Sequence, residues 1–336
     1  MSRELVVMGL NVWGMSNAPD KKQRIQKIAD YLANEKYDLF LLTELWSHDD
    51  HRLVRERVGQ NGYYMTSYSD LGSTKLSRGI ICPLYSSGLA IVSKHPFDNV
   101  EFKGFHKTGK WINMLKDGEI LANKGVGKVT ITLWEDFTVD VFVTHTVASW
   151  APRGDSNDDI RENQLKQVMN QVDNSLANLV IIGGDFNTDS RKNDKAWQSL
   201  IQGENGLIDC YTEFTGNIED TEEKRATFHN PDNSYTQTYY IGQRKMFPEM
   251  LDYILYRFQH WTQEELDGDF QVITGPQQKI MYSVGKERGK ITKNFDILKK
   301  KFKMGQNDLL EEISLSDHEI IRAKLHLETE NIGDDR

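Results

Sequence analysis

Short apolar runs separated by polar segments recur along the whole chain. Apolar runs of strand length that are bounded by turn residues are typical of buried β-strands. The predicted strands are LVVMGLNVW, DLFLLTELW, SGLAIVSK, KVTITLW, TVDVFVTH, NLVIIGGDF, MLDYILYR and IIRAKLHL. A chain with many strands and few helices is expected to pack two β-sheets against each other, flanked by helices, with functional groups on the loops at the strand ends.

Two helices are predicted between these strands. Ile25, Ile28 and Leu32 recur at helical spacing between the first two strands. Asp20 precedes them as a candidate N-cap. A strand, a helix and a second strand in this order predict a βαβ unit at the start of the chain. The second helix is predicted over about Asp159–Val172.

A long polar segment, from about residue 274 to residue 314, separates the last two predicted strands. It is too long for a tight connection, so we expect an insertion with some helix of its own. The run LKKKFK gives this insertion a local basic patch. We predict one domain over residues 1–328, which includes the insertion, and a C-terminal tail over residues 329–336.

The composition predicts an ordinary soluble protein with an acidic surface. The 336 residues include 41 Lys and Arg against 50 Asp and Glu, which gives a formal net charge of −9. Because binding to the nucleic-acid backbone is driven largely by Lys and Arg, no nucleic-acid partner is expected. Cys82 and Cys210 are too few for a disulfide framework and are not at metal-ligand spacing, so we expect ordinary core residues.

No membrane-spanning or targeting segment is predicted. The N-terminal stretch MSRELVVMGLNVWG lacks the features of a signal peptide. No apolar run approaches the length of about 18 residues that a membrane-spanning helix needs. We therefore expect a cytoplasmic or peripheral membrane protein from the sequence as it stands, or a secreted one if a signal peptide had been removed. The sequence leaves the oligomeric state open.

Strand after strand ends in a side chain that can bind a metal or move a proton. These residues are Asn11, Glu44, His145, Asp185, Asn187, Asp252, Asp317 and His318. Taken singly, each could be a turn residue or a hydrogen-bonded structural residue. So many such endings are hard to assign to turn chemistry alone, because an oxygen-coordinated metal and general acid–base catalysis require carboxylates, amides and imidazoles.

The available ligands are mainly hard oxygen atoms, and no cysteine lies near them, which favours Mg²⁺ over Zn²⁺. A Mg²⁺ ion held by one or two protein groups keeps positions open for water and for a phosphate oxygen. We therefore predict hydrolysis of a phosphodiester or a phosphomonoester. In such a reaction the metal neutralises developing charge while a His or Asp deprotonates the attacking water.

Seven sequence blocks follow one another in order between about Leu5 and Leu327. They are LNVWG, TELW, SGLAIVSKHPF, VTH, GGDFN, LDYILY and LSDHE. In this order they resemble the endonuclease/exonuclease/phosphatase superfamily, which has the deoxyribonuclease-I-like fold, and within it the Mg²⁺-dependent neutral sphingomyelinases. The resemblance implies an α/β (α+β) four-layer sandwich of two mainly antiparallel or mixed sheets between helices. It also implies a catalytic domain of sphingolipid metabolism that hydrolyses sphingomyelin to ceramide and phosphocholine, in the manner of a phospholipase C.

The resemblance implies a metal site and a general base. Glu44 is the implied principal ligand of Mg²⁺, with Asn11 beside it and Mn²⁺ as a substitute metal. Asp317 is implied either to support the ligands or to contact the metal itself. His318 is the implied general base for water, and Asp252 is implied to orient it.

Further roles also come from the resemblance. Asp185 and Asn187 are implied to position the nucleophile and to stabilise the transition state. His145 is implied to donate a hydrogen bond to a phosphoryl oxygen. Lys124 and Glu119 fill the places of a Lys and an acidic residue that contact the substrate or act as a switch in sphingomyelinases. Because Glu119 replaces an Asp of other members and is one methylene longer, an ion pair with the lysine is expected more readily than a switch.

The segment KTGKWINML carries several apolar residues in one short run. Trp111 and Leu115 within it are suited to insertion at a membrane interface, which implies peripheral contact with sphingomyelin-containing membranes. A loop whose apolar side chains pack back onto the sheet is the alternative.

Three other functions are considered. A nuclease of the same fold is disfavoured by the acidic charge balance. Inositol-polyphosphate 5-phosphatases carry Asn-Tyr-Arg after their Gly-Asp and Cys-Asp-Arg near the later strand, whereas this chain has GDFNTDS and LDYILYR. An inactive lipid-binding module is the alternative from a different class, and the complete set of polar residues counts against it.

Overall fold

The structure is a computed structural model of the chain. It describes residues 2–73, 86–109, 122–134, 137–148, 157–192, 195–203, 205–215, 226–228, 248–259, 270–271, 280–285, 288–291 and 311–329. Within these residues the strands form a seven-stranded sheet, a six-stranded sheet and a separate two-stranded sheet.

In chain order, the strands are β1 (Ser2–Asn11), β2 (Leu39–Thr43), β3 (Tyr64–Met65), β4 (Ala90–Ser93), β5 (Asn99–Gly104), β6 (Gly125–Trp134), β7 (Phe137–His145), β8 (Leu179–Asp185), β9 (Ile208–Asp209), β10 (Asp252–Phe258), β11 (Phe270–Gln271), β12 (Ile280–Gly285), β13 (Arg288–Ile291), β14 (Glu311–Ser314) and β15 (Ile320–Thr329). The helices are α1 (Lys21–Asn34), α2 (His48–Gly59), α3 (Asp158–Asp173), α4 (Lys195–Ile201) and α5 (Cys210–Thr215), with a 3₁₀ turn at Ser190–Lys192. Among the described residues, no helix combines the length and the apolar character needed to cross a membrane.

Both large sheets are mixed. The seven-stranded sheet has the order β11-β15-β1-β2-β4-β3, with β12 also paired to β15. In it, β1 runs parallel to β2 and antiparallel to β15. The six-stranded sheet has the order β5-β6-β7-β8-β10-β9, and β7 and β8 are its parallel pair. The predicted mixture of parallel and antiparallel strands and the predicted initial βαβ unit are confirmed.

Side chains of the first sheet alternate between two apolar layers, as strand geometry requires. Leu5, Val7 and Leu39 belong to the buried cluster that contains the second sheet. Met8 and Phe40, one position along the chain, belong to a second cluster with the apolar faces of α1 and α2. Helices α3 and α4 pack with the second sheet. The result is the predicted arrangement of two face-to-face sheets between helices.

Both predicted helices are present at the predicted positions, but the predicted N-cap of the first helix is wrong. Helix α3 matches the predicted helix within a residue at each end. Asp20 stands at the N-cap position of α1, but its φ is 53° and its side chain makes no capping hydrogen bond, so the proposed capping role is wrong. Helix α2 was not predicted, because its first turn is polar, and Ser47 caps it by accepting a hydrogen bond from the Asp50 N–H at 3.4 Å.

The predicted insertion is described only in part. Strand β12 extends the first sheet along β15, and β13 pairs with β14. The predicted helix has no counterpart among the described residues of this segment, and residues 292–310 lie outside the description. The domain limits at residues 328 and 329 remain a prediction.

The topology brings the polar strand ends to one edge of the molecule. Strands β1 and β2 end side by side because they are parallel, and Asn11 is the last residue of β1. In the second sheet, Asp185 lies opposite His145 on one side and opposite Asp252 on the other. His318 precedes β15, which begins beside the end of β1. The predicted functional residues therefore meet between the two sheets.

Candidate active site

Asn11 links the carboxylates of the two sheets. Its Nδ2 donates to Glu44 Oε1 and to Asp185 Oδ2, each at 3.0 Å. Its Oδ1 accepts the Trp13 backbone N–H at 3.0 Å. Because the amide nitrogen lies between the carboxylates and the oxygen is engaged by the backbone, Asn11 here orients Glu44 and Asp185.

The backbone at Glu44 is held in a left-handed conformation, with φ of 61°. Its carbonyl oxygen accepts the Gly14 N–H at 3.1 Å, and a Cβ at Gly14 would overlap that oxygen. The Trp46 Nε1–H reaches Glu44 Oε2 at 3.4 Å. A left-handed residue of this kind persists only where its surroundings fix it, and such residues cluster at functional sites.

Asp185 is buried and is fixed by the residues that follow its strand. The Asn187 backbone N–H donates to Asp185 Oδ1 at 2.9 Å, and φ of Asn187 is 48°. The Asn187 Nδ2 donates to the Thr146 carbonyl at 3.2 Å. His145 Nε2 lies 3.7 Å from Asp185 Oδ2. These contacts bring Asn187 and His145 to Asp185, and the roles predicted for them stay predictions.

His318 and Asp252 form a buried pair. His318 Nδ1 is 2.8 Å from Asp252 Oδ2, and His318 Nε2 is 3.9 Å from Asp185 Oδ2. In the neutral ring Nδ1 carries the proton, because it faces a carboxylate at hydrogen-bond distance, and Nε2 is the atom that accepts a second proton. This geometry is the one that the predicted roles of His318 as a general base and Asp252 as its orienting carboxylate require, and the roles themselves stay predictions.

Thr227 and Phe228 hold this pair in place, and the sequence analysis did not single them out. Thr227 Oγ1 accepts the Asp252 N–H at 3.1 Å, and the Thr227 carbonyl accepts the Glu319 N–H at 2.7 Å. The Phe228 ring stacks on His318 with centroids 4.6 Å apart and planes 29° apart. The aromatic Phe228 inside the polar stretch KRATFHNPDN was the sequence signal that could have identified them.

Lys124 is buried within the site. Its Nζ donates to the Thr146 carbonyl at 2.8 Å and lies 3.2 Å from His145 Nε2. An ammonium group can only donate, so Nε2 is the acceptor and the proton of a neutral His145 ring is on Nδ1. Among the described residues, His145 Nδ1 is buried without a hydrogen-bond partner.

The surroundings shift the pKa values of the two histidines in opposite directions. Burial lowers the pKa of His145 well below its ordinary value, and the charges of Lys124 and His318 lower it further. Burial also opposes charge on His318, but the carboxylates of Asp252, Asp317 and Asp185 outweigh it and raise the pKa well above 6.5. Asp317 is itself buried, and Ser316 Oγ donates to its Oδ1 at 3.3 Å.

Two overlapping groups of side chains could hold a cation. One is Glu44, His145 and Asp185, the other is Asp185, Asp252 and His318, and the ligand atoms of each group lie within 4.8 Å of one another. Burial, the neighbouring charge of Asp252 and the charge of Glu44 raise the pKa of Asp185 above its ordinary value. Crowded, buried carboxylates of this kind are stabilised by a cation, and Asp252 Oδ1 is buried with no partner among the described residues. The donor set therefore fits a hard divalent ion.

Some of the residues predicted for the site are not among those that form it in the described structure. Glu119, Trp111 and Leu115 lie outside the described residues. Asp317 is close enough to influence His318 but does not belong to either group of metal-binding side chains found among the described residues.

Comparison with known proteins places this geometry in a family. The family model described as Endonuclease/Exonuclease/phosphatase family matches residues 8–318. Sphingomyelin phosphodiesterase 2 of Homo sapiens is 26% identical over 261 residues, which are 76% of this chain and 56% of that protein. The chain thus spans about half the length of this relative.

Solved structures share the fold. Sphingomyelinase C from Streptomyces griseocarneus has a TM-score of 0.64 and 18% identity, and the match covers 96% of this chain and 99% of that one. A beta toxin mutant from Staphylococcus aureus with bound magnesium ions has a TM-score of 0.63 and 19% identity, with the same coverages. The family match over most of the chain and this shared fold lead to one conclusion: the chain belongs to the endonuclease/exonuclease/phosphatase family.

Proposed function

We propose that the protein is a Mg²⁺-dependent phospholipase C-type phosphodiesterase that hydrolyses sphingomyelin to ceramide and phosphocholine. The observation that carries this proposal is the buried His318–Asp252 pair beside Asp185, at the edge where Glu44 and His145 also meet. The similarity to sphingomyelin phosphodiesterase 2 supports the choice of substrate.

The chain's own residues divide the work of hydrolysis. His318 Nε2 accepts the proton of the attacking water while its Nδ1–H stays bonded to Asp252, which stabilises the imidazolium that forms. The water oxygen bonds to phosphorus, the bond from phosphorus to the ceramide oxygen breaks, and the proton passes to that leaving oxygen. Asn187 and His145 Nδ1–H are the proposed donors to the phosphoryl oxygens.

Glu44 and Asp185 are the proposed holders of the cation, with Asn11 orienting both carboxylates. When bound, Mg²⁺ supplies positive charge that offsets the charge developing on the phosphoryl oxygens. Hard oxygen ligands support Mg²⁺, and Mn²⁺ is the proposed substitute because it accepts the same ligand types. Peripheral contact with the membrane through Trp111 and Leu115 is part of the proposal.

The test is a comparison of substrates with and without metal. The protein is incubated with sphingomyelin, phosphatidylcholine, lyso-platelet-activating factor or plasmid DNA, with Mg²⁺ or with a chelator. We expect phosphocholine release from sphingomyelin in Mg²⁺ and none in chelator. Nicked plasmid without phosphocholine release would replace the proposal with a nuclease, and release from another lipid alone would replace only its substrate.

A further inference from the structure

Arg24 is a fully buried arginine in the first turn of α1. A buried guanidinium must be satisfied by hydrogen bonds, because removing its charge from water is costly. Its N–H groups donate to four backbone carbonyls. The bonds are Nε to Pro19 at 2.9 Å, Nη1 to Val12 at 2.9 Å and to Leu315 at 3.2 Å, and Nη2 to Trp13 at 2.8 Å.

These carbonyls belong to two separate loops of the site. Val12 and Trp13 directly follow Asn11, whereas Leu315 lies three residues before His318 and 291 positions from Arg24 along the chain. One rigid group therefore joins the loop that orients the carboxylates to the loop that carries the base.

Trp13 connects this group directly to Asn11. Its φ is 47°, and the Arg24 guanidinium lies 4.9 Å from its ring centroid while bonding its carbonyl. The Trp13 N–H in turn donates to Asn11 Oδ1 at 3.0 Å. Arg24 thereby stabilises the left-handed backbone that points this N–H at the Asn11 side chain.

We propose that Arg24 is a positioning residue, which holds Asn11 and His318 in their working arrangement without touching the substrate. The kinetic part of this inference rests on the proposed phosphodiesterase function. Lysine cannot replace arginine in this role, because a single ammonium group lacks the planar array of donors that reaches both loops.

Three variants test the role. Arg24→Lys keeps the charge, and Arg24→Ala leaves a space. Leu32→Ala is the control, since it removes buried core volume two turns further along α1 without removing a hydrogen bond to either loop. We expect Arg24→Lys to lower kcat by about 10–100-fold, the usual effect of losing a group that orients site residues, with little change in KM. Leu32→Ala should keep kcat near wild type at a temperature where it is folded.

Chemical rescue separates positioning from general destabilisation. Guanidinium chloride at low millimolar concentration should restore part of the kcat of Arg24→Ala, while equal NaCl or urea should not. Guanidinium does not stabilise a fold, so a variant that is only less stable would gain no activity in it. Absence of rescue in folded Arg24→Ala would contradict the proposal; if this variant does not fold, Arg24→Lys decides alone.

A spectroscopic readout keeps the inference testable without turnover. The ring nitrogens of His318, labelled with ¹⁵N and assigned through His318→Ala, should shift in Arg24→Lys but not in Leu32→Ala. An inactive wild type would overturn the proposed function, and the His318 spectrum would still decide the positioning role. Unchanged resonances and kcat in Arg24→Lys would overturn the positioning role alone.

Discussion

The roles of the two site histidines follow from their hydrogen-bond partners. His318 Nδ1 faces a carboxylate, so Nε2 is its accepting atom, whereas His145 Nε2 faces the Lys124 ammonium, so Nδ1 is its donating atom. The Asp252 carboxylate outweighs burial and raises the pKa of His318, whereas burial, followed by the charge of Lys124, lowers the pKa of His145. His145 is thus held neutral with its proton on Nδ1, whereas His318 binds a second proton readily at Nε2.

His318 and Asp252 should act as one unit in catalysis. We expect His318→Ala to lower kcat by about 10²–10⁴-fold, the usual contribution of a positioned base, with little change in folding. Asp252→Asn should also lower kcat, because an amide cannot stabilise the imidazolium. The double variant should be hardly worse than His318→Ala, since no base remains to be oriented. A double defect equal to the product of the single defects, measured at saturating substrate, would contradict the pairing.

His51, outside the site, should make stability depend on pH. Burial, helped by the charges of Arg55 and His48, lowers the pKa of His51 from 6.5 to about 4. Between these values the unfolded chain binds a proton that the folded protein does not, so stability is complete above pH 6.5 and falls as the pH falls toward 4. Between pH 7.5 and pH 5, the titration of His51 lowers the free energy of unfolding by about 2 kcal/mol.

His51→Gln should remove this part of the pH dependence. Urea unfolding at pH 7.5 and at pH 5 measures the difference in free energy of unfolding for each protein. His106→Gln is the matched control, because His106 is exposed, and it should keep the wild-type difference. An unchanged pH difference in His51→Gln would show that His51 is not the group responsible.

At the scale of elements, the sequence predicted the strands and helices that have a periodic apolar pattern. It did not predict the elements and side chains whose place depends on tertiary contacts. The strands of the core were predicted because their apolar runs are buried. Strand β5 was not, because it lies at the edge of its sheet with partly or fully exposed side chains. The candidate site residues were selected by their type at strand ends, and their functional roles stay predictions. Arg24 shares the apolar face of α1 with Ile28 and Leu32, a signal that could have identified it, but its partners lie in distant loops.

The close parallel pairing of β7 and β8 leaves no room for a side chain at Gly184. Gly184 has φ of 137°, and a Cβ there would overlap the Thr144 carbonyl of the neighbouring strand. We expect Gly184→Ala to lower the free energy of unfolding by about 2–4 kcal/mol and to displace the adjacent Asp185, which lowers kcat as well. Gly59→Ala, where a Cβ has no atom within 4 Å, is the control. Equal stability of the two variants in urea unfolding would contradict this reading of the strand contact.

At the scale of the whole molecule, metal binding should stabilise the fold. The site draws Glu44 from the first sheet and Asp185 from the second, so a cation that binds both relieves repulsion across the sandwich. Saturating Mg²⁺ at about 100 times its Kd should add about 2.7 kcal/mol to the free energy of unfolding, and chelator should remove this gain. Glu44→Ala should lose most of the Mg²⁺-dependent rise in Tm, whereas the control Glu56→Ala on the exposed face of α2 should keep it. A full rise in Glu44→Ala would exclude Glu44 as the principal ligand.

The described ends of the connection between β5 and β6 lie beside the candidate active site. The paired ends of these strands are Gly104 and Gly125, and the Phe105 N–H donates to the carbonyl of Lys124, the residue that contacts His145. Trp111 and Leu115 belong to this connection, outside the described residues. The proposed membrane contact through these two residues therefore belongs to the connection whose described end contacts His145 through Lys124.

Loss of that contact should therefore impair adsorption and spare the chemical step. We expect Trp111→Ala combined with Leu115→Ala to reduce phosphocholine release from sphingomyelin vesicles, because apolar side chains at an interface contribute binding energy only where a bilayer is present. Hydrolysis of a soluble short-chain sphingomyelin should be nearly unchanged. The control is Tyr64→Ala with Leu176→Ala, which removes two apolar side chains that are 48% and 86% exposed elsewhere on the surface, and it should behave as wild type on both substrates. An equal loss on vesicles and on soluble substrate would mean that Trp111 and Leu115 pack within the fold.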